Sequence, residues 1–156
     1  MGIQGIQLNS PFWSRFKSEM DIAAEVIFEY QQTEFIKTII AYNGGKIVCI
    51  YDGTYGTRGH HSQDCLVTVM TKVSDDGQKK IIGYAYEKRF HGDEAPGEGI
   101  HTCSARKLEP IATKAATKSA FRPKNGLELI AVNADGDAQD CFKRTTSLIR
   151  DLDSTQ

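Results

Sequence analysis

The sequence has no long hydrophobic run, and this absence sets the first limit on its class. No apolar stretch approaches the roughly 20 residues that a membrane-spanning helix needs. Residues 1–9 also lack the basic region and apolar core that identify a secretory signal peptide. We therefore expect a cytoplasmic protein that has no membrane partner.

Cysteine is scarce, with 4 in 156 residues and none in a C-x-x-C pair. This density is far below that of a disulfide-stabilised scaffold, and the spacing matches no common zinc module. We expect free thiols in a reducing compartment and no cofactor. The four are Cys49, Cys65, Cys103 and Cys141.

Neither sign of charge predominates, since the formal net charge is −1. This balance argues against a surface built throughout for nucleic acid, although it leaves room for a local basic patch. The chain contains neither the G-x-x-x-x-G-K-[ST] nor the G-x-G-x-x-G phosphate-binding pattern. No motif assigns a reaction, which favours a binding function over an enzyme.

Amphipathic helices are predicted near both ends of the chain. Ser10 and Pro11 supply an N-cap and a first helical residue, and a helix over residues 11–24 follows from the apolar spacing. Residues 25–31 alternate charged and apolar side chains, so they can either continue this helix or form a strand. Asp137 can cap a second helix over residues 137–152.

A β-rich core over residues 34–108 organises what we expect to be a single domain spanning residues 1–156. A further strand is predicted over residues 127–133. The predicted fold class is α+β, with a small, strongly curved antiparallel sheet or barrel flanked by N- and C-terminal helices. The five β-rich runs are Glu34–Tyr42, Lys46–Asp52, Cys65–Val73, Lys79–Phe90 and Ile100–Leu108.

The connections between these runs indicate where a site lies. Residues 43–45 and 75–77 are glycine-containing tight turns, whereas residues 52–64 and 91–99 are long loops. If neighbouring runs pair in order, successive connections alternate between the two ends of the sheet, and both long loops share one end. Because long loops at one end of a rigid sheet commonly form binding sites, we expect the functional rim there.

The loops of this rim carry residues suited to an anionic ligand. Glycines recur at every third position of the first loop, and their backbone N–H groups can form an anion-binding nest. In the same loop Arg58, His60 and His61 can donate charge-assisted hydrogen bonds to a phosphate. Secondary candidates in the second loop, for an acid–base pair or a cation, are His91, Asp93 and Glu94.

A zinc site is an alternative. His101 and Cys103 would point to the same face of a strand, and Cys65 opens another strand shortly after His61. Together these four can complete a tetrahedral nitrogen–sulfur site for a metal-dependent enzyme. The same residues offer Cys–His pairs for nucleophilic catalysis, although neither pair has a recognisable local signature.

Basic residues concentrate around the Ala/Lys-rich segment over residues 109–125. Its alanine content and a proline near its start predict a short helix over residues 110–120, or an ordered linker. If the segment is helical, Lys114, Lys118 and Arg122 recur every four residues on one face. Such a face can follow a phosphate backbone or bind an acidic partner.

Four short segments of the β-rich region carry a family resemblance. They are Tyr42-Asn43-Gly44 before a basic residue and an apolar strand, Tyr55-Gly56, Ile81–Tyr86, and a basic pair followed by Leu108–Ile111. In these segments residues 36–111 resemble the WYL domain of bacterial and phage regulators. The chain departs from that family because the Trp-Tyr-Leu tripeptide is absent, a strand over residues 65–73 is additional, and no helix-turn-helix precedes the core.

The resemblance implies a small SH3- or Sm-like barrel with a regulatory role, which senses a ligand or nucleic acid and is not a catalyst. The binding residues that it implies are Tyr84, Arg106 and Lys107. We therefore expect a non-enzymatic module that binds or senses a nucleotide-like molecule or nucleic acid at the rim. Alternatives are a metal-dependent enzyme and a protein-interaction module such as a phage-encoded inhibitor. Exposed sheet edges would also allow a homo-oligomer.

Overall fold

The structure is a computed structural model, and it describes residues 10–56, 63–72, 77–89, 100–101, 103–122, 125–133 and 138–154. The chain divides into two compact units, residues 1–34 and residues 35–156. In chain order the described elements are α1 (Ser10–Asn43), β1 (Lys46–Tyr55), β2 (Asp64–Lys72), β3 (Lys79–Arg89), β4 (Ile100–His101), α2 (Ala105–Ala120), β5 (Glu128–Asn133) and α3 (Ala138–Ser154).

The described strands form one mixed sheet in the order β4-β3-β2-β1-β5. β1, β2 and β3 are antiparallel neighbours, as expected, whereas β5 runs parallel to β1 and β4 runs parallel to β3. The described part of the sheet is neither closed nor strongly curled, so it does not support the predicted barrel or the SH3- or Sm-like barrel of the WYL resemblance. The sheet is open because β4 and β5 lie at its two edges and do not pair with each other. The α+β class with N- and C-terminal helices is confirmed.

The predicted strand over residues 34–42 is wrong, because these residues are the C-terminal part of α1. Their β-branched and aromatic content favoured a strand. The apolar residues are nevertheless spaced by three and four, which is the helical period, and Ile39 is buried in the core. Residues 25–31, for which both alternatives were open, are also helical.

The glycine turn at residues 43–45 ends α1 and does not join two strands. Gly44 and Gly45 have φ angles of 72° and 87°, a region that favours glycine. The Gly44 N–H donates to the carbonyl oxygen of Ile40 at 3.0 Å, which closes the last turn of the helix. Of the second predicted turn, at residues 75–77, only Gly77 is described, and its φ is 78°.

The predicted strand over residues 100–108 is correct only at its start. Ile100–His101 pairs with β3, and α2 then begins at Ala105. The first residues of α2 were mistaken for a strand, although Ala105, Leu108 and Ala112 follow helical spacing and are buried. The helix over residues 110–120 is confirmed and starts earlier, with a proline inside it. The strand over residues 127–133 and the helix over residues 137–152 are confirmed as β5 and α3.

α2 packs on the sheet through small residues. Ala116 and Ala120 are fully buried, and both lie against Gly83 of β3. A Cβ atom at Gly83 would lie 2.7 Å from the carbonyl oxygen of Ala116 and 2.7 Å from the Cβ of Ala120. Glycine is therefore required for this close approach. The Ala/Lys-rich segment thus buries Ala116 and Ala120 and exposes Lys114 and Lys118.

The core lies between the sheet and the helix layer. α2 contacts β1, β2 and β3, while α3 contacts α2 and β5. The largest fully buried side chains of the core are Ile39, Ile47, Val67, Val69, Ile82 and Leu108. Among the described helices, none is long and apolar enough to cross a bilayer.

Candidate functional site

The rim predicted from the long loops is described only at its base. Arg58, His60, His61, His91, Asp93 and Glu94 all lie outside the described residues. At the base, Tyr55 pairs with Cys65, and Asp64 pairs with Lys88. The Arg89 N–H also donates to the carbonyl oxygen of Gln63 at 2.7 Å. The described flanks of both loops therefore lie at the same end of the sheet.

Asp64 holds this end of the sheet together. Its Oδ1 accepts the Gly56 N–H at 3.0 Å, and its Oδ2 accepts the Tyr86 hydroxyl at 2.8 Å. Burial and the Asp64 carboxylate raise the pKa of Tyr86 to about 12. A side chain at Gly56 would collide with the carboxylate of Asp64. A larger residue at position 56 would therefore displace this carboxylate from its present hydrogen bonds.

Glu109 connects the start of α2 to the same end of β1. The Tyr55 hydroxyl donates to Glu109 Oε2 at 2.6 Å. Burial first, and the neighbouring Glu109 second, raise the pKa of Tyr55. A Cβ atom at Gly53 would lie 2.9 Å from Glu109 Oε1, so the carboxylate sits directly over the strand.

A groove runs between α2 and α3, and its volume is about 710 Å³. This size lies within the range of roughly 300–1,000 Å³ typical of small-molecule sites. The cationic side chains that line it are Arg106 and Lys114 of α2 and Arg144 of α3. The remaining lining residues are Glu109, Pro110, Thr113, Thr117, Cys141, Thr145, Ser147, Leu148 and Asp151.

Beneath the groove lies a buried network of hydroxyl groups. Thr117 Oγ1 donates to the carbonyl oxygen of Thr113 at 2.8 Å, so it accepts from the Tyr51 hydroxyl, which lies 2.8 Å away. Tyr51 also hydrogen-bonds Thr145 of α3. Burial is the largest cause that raises the pKa of Tyr51. The network is uncharged at neutral pH, and it links β1 to both walls of the groove.

Cys49 of β1 and Cys141 of α3 lie near this network. Burial, with a smaller contribution from Cys141, raises the pKa of Cys49 to about 12. The Cys49 thiol therefore stays protonated at neutral pH, which is unsuitable for a nucleophile.

The residues implied by the WYL resemblance do not share one surface. Arg106 lines the groove, whereas Lys107 is exposed on α2 and does not line it. Gly83 faces α2, so Tyr84, the next residue on β3, points to the opposite face of the sheet. Tyr84 is thus separated by the sheet from the two basic residues.

The predicted zinc ligands are described in part. Cys65 is fully buried, and burial followed by Glu109, Asp64 and Glu87 raises its pKa to about 11. Cys103 is half-buried, while the side chains of His61 and His101 lie outside the described set. Among side chains that the structure describes, no three His, Cys, Asp or Glu residues come together as metal ligands.

The sequence-based prediction missed most of the groove. The α3 wall includes Cys141, Arg144, Thr145 and Leu148, whose spacing of three, one and three places them on one helix face. The sequence analysis assigned none of these four residues to a site. The combination of apolar and polar residues on one face of α3 was the sequence pattern that could have indicated the groove.

Comparison with known proteins gave no match to a family model, to a curated protein or to a solved structure.

Proposed function

We propose that the chain is a non-enzymatic binding module for a small anionic ligand, such as a nucleotide-like molecule, which enters the groove between α2 and α3. The supporting observation is the presence of cations on both walls: Arg106 and Lys114 on one side and Arg144 on the other. Guanidinium and ammonium groups that converge on one cavity suit a phosphate or carboxylate group.

The charge of the lining favours an anion. Three cationic side chains face two carboxylates, Glu109 and Asp151. Glu109 already accepts a hydrogen bond from Tyr55, so it is fixed at one end of the groove. Pro110 and Leu148 add apolar surface, which suits a ligand that carries a ring or chain beside its charge.

The rim is a second source of contacts in this proposal. Glu109 lines the groove and binds Tyr55, the last residue of β1 before the first long loop. Arg58, His60 and His61 follow in that loop, so they remain predicted contacts for the same anion. The expected ligand is still an anion, as the sequence predicted. The groove residues are additional contacts for it.

Titration of purified protein with ATP, AMP and inorganic phosphate by calorimetry tests the proposal. Arg144→Gln and Lys114→Ala should each weaken binding of the best ligand by about tenfold or more, since each removes a charge-assisted contact. Arg58→Ala measures the contribution of the rim separately.

Lys118→Ala is the matched control, because Lys118 has the same charge on the same helix and does not line the groove. It should change affinity by less than about twofold. Equal losses in Lys114→Ala and Lys118→Ala, with tighter binding of a single-stranded oligonucleotide, would instead indicate a nucleic-acid backbone along α2. Unchanged affinity in Arg144→Gln would contradict the groove as the site.

A further inference from the structure

Arg89 is the last described residue of β3, and its backbone is held on both sides. Its N–H donates to the carbonyl oxygen of Gln63, beside the start of β2, at 2.7 Å. On its other side Arg89 pairs with His101 of β4. The backbone of Arg89 therefore lies between the described flanks of the two long loops, at the end of the sheet where we expect binding.

The side chain of Arg89 lies on the face of the sheet that carries α2. Gly83 faces α2, and Ala85 and Glu87 follow on the same face at intervals of two residues. Both of these residues are buried, with exposures of 8% and 9%. Arg89 is the next residue in this series and is half-buried, so it enters the interior while part of it stays accessible from solvent.

One nitrogen of the Arg89 guanidinium is buried without a hydrogen bond. Arg89 Nε is shielded from solvent, and it donates neither to Glu87 nor to any other residue that the structure describes. A buried N–H group without an acceptor loses its hydration and gains no bond in return, and the penalty is larger for a charged group. Native proteins retain few such groups. An acceptor supplied by a ligand would complete the hydrogen bonding of Arg89.

The chemistry of the guanidinium specifies the class of acceptor. Nε and an adjacent Nη donate in parallel, and this fork fits two oxygens of one phosphate or carboxylate group. The neighbouring cation, Lys88, points to the opposite face of the sheet, where its Nζ lies 5.6 Å from the centre of the Tyr86 ring. Of these two cations, only Arg89 can therefore serve an anion on the α2 side.

We propose that Arg89 binds an oxyanion, a phosphate or carboxylate group, through its buried Nε at the end of the sheet. The proposal rests on the anion-binding function proposed above and adds a residue to it. Arg89 does not line the groove between α2 and α3, so this contact is separate from those of the groove. Without a ligand the unsatisfied nitrogen destabilises the fold, and a bound oxyanion removes this penalty.

Thermal unfolding of the full chain in inorganic phosphate, in succinate and in chloride at equal ionic strength tests the proposal. Phosphate or succinate should raise the wild-type midpoint by about 2 °C or more above chloride, because a ligand that binds only the folded state stabilises it. Arg89→Met keeps an apolar side chain but removes the donor, so it should lose most of this shift. Lys88→Met is the matched control, since it removes the same charge from the neighbouring residue, and it should keep the shift.

The midpoint of Arg89→Met in chloride separates binding from a structural role. It should equal or exceed the wild-type midpoint, because the variant has no unsatisfied buried nitrogen. A lower midpoint would overturn the proposal, since it would show that the guanidinium already supports the fold. Equal shifts in Arg89→Met and Lys88→Met, or a wild-type chain that neither anion stabilises, would also overturn it.

Arg144→Gln in the same assay distinguishes this proposal from the groove. Loss of the shift in Arg89→Met alone would support the role of Arg89 and contradict the groove as the site. Loss in Arg144→Gln alone would support the groove and overturn the role of Arg89. Loss in both variants would support both contacts.

Discussion

Two helices of this protein differ in how their composition relates to burial. α2 has few large apolar residues, yet Ala112, Ala116 and Ala120 are fully buried. Residues 10–34 of α1 carry large side chains such as Ile27 and Tyr30, which are mostly exposed. The buried face of α2 lies against a glycine-containing strand at close range. Burial here depends on the surface opposite a helix, and the hydrophobicity of the helix alone does not decide it.

The largest expected effect comes from adding a side chain at Gly83, where α2 packs at close range on β3. Gly83→Val should lower the free energy of unfolding by about 3 kcal/mol or more, because its side chain would overlap the backbone of α2 at Ala116. Urea unfolding measures this change. Ile81→Val, at a site 41% exposed on the same strand, should stay within about 0.5 kcal/mol. Similar values for the two variants would contradict the close packing.

A matched pair of isoleucines on α1 compares its buried and exposed parts directly. Ile39→Ala should lower the free energy of unfolding by about 3 kcal/mol, because Ile39 is 1% exposed and its truncation leaves a cavity. Ile27→Ala should cost less than about 0.5 kcal/mol, because Ile27 is 58% exposed. A loss for Ile27→Ala as large as that for Ile39→Ala would contradict the difference in their burial.

Alkaline pH should destabilise the sheet through its buried thiols. Folding raises the pKa of Cys49 from 9.0 to about 12 and that of Cys65 from 9.0 to about 11. Above pH 9 the unfolded chain therefore loses protons that the folded chain keeps, and stability falls as pH rises. We expect a loss of at least about 2 kcal/mol between pH 9 and pH 11.

Denaturant unfolding at a series of pH values measures this loss. The double variant Cys49→Ala, Cys65→Ala should be less stable at neutral pH but should show a shallower alkaline decline. Parallel declines for the variant and the wild type would show that other groups, such as the buried tyrosines, cause the effect.

The smallest expected effect concerns the hydroxyl network under the groove. Tyr51→Phe should cost about 1 kcal/mol, because it removes the donor to Thr117 Oγ1. Tyr30→Phe is the control in the exposed helix, where Tyr30 is 69% exposed and the cost should be near zero. Thermal unfolding of both variants provides the comparison, and equal shifts would show that the Tyr51 hydrogen bond contributes nothing to stability.

The groove shows what sequence reasoning found and missed at the candidate site. Arg106 was named through a family resemblance and Lys114 through its place in the basic segment, and both line the groove. Arg144 was not named, because it lies far along the chain on a helix whose polar residues showed no motif. Its relation to Arg106 depends on the packing of α3 beside α2, and such a packing is invisible in local periodicity.

Local chemistry in the sequence was sufficient to predict the strands β1, β2, β3 and β5, the helix α3 and most of α2. These elements have strong alternation, helical spacing or clear turn residues, which depend only on neighbours in the chain. Local chemistry also led to errors at residues 34–42 and 103–108, where β-branched or mixed composition competed with helical spacing. Only the tertiary structure decided that the sheet is open, that β5 lies parallel to β1, and that α2 and α3 enclose a groove. These features depend on contacts between distant segments, whose free energy is not expressed in any short stretch of sequence.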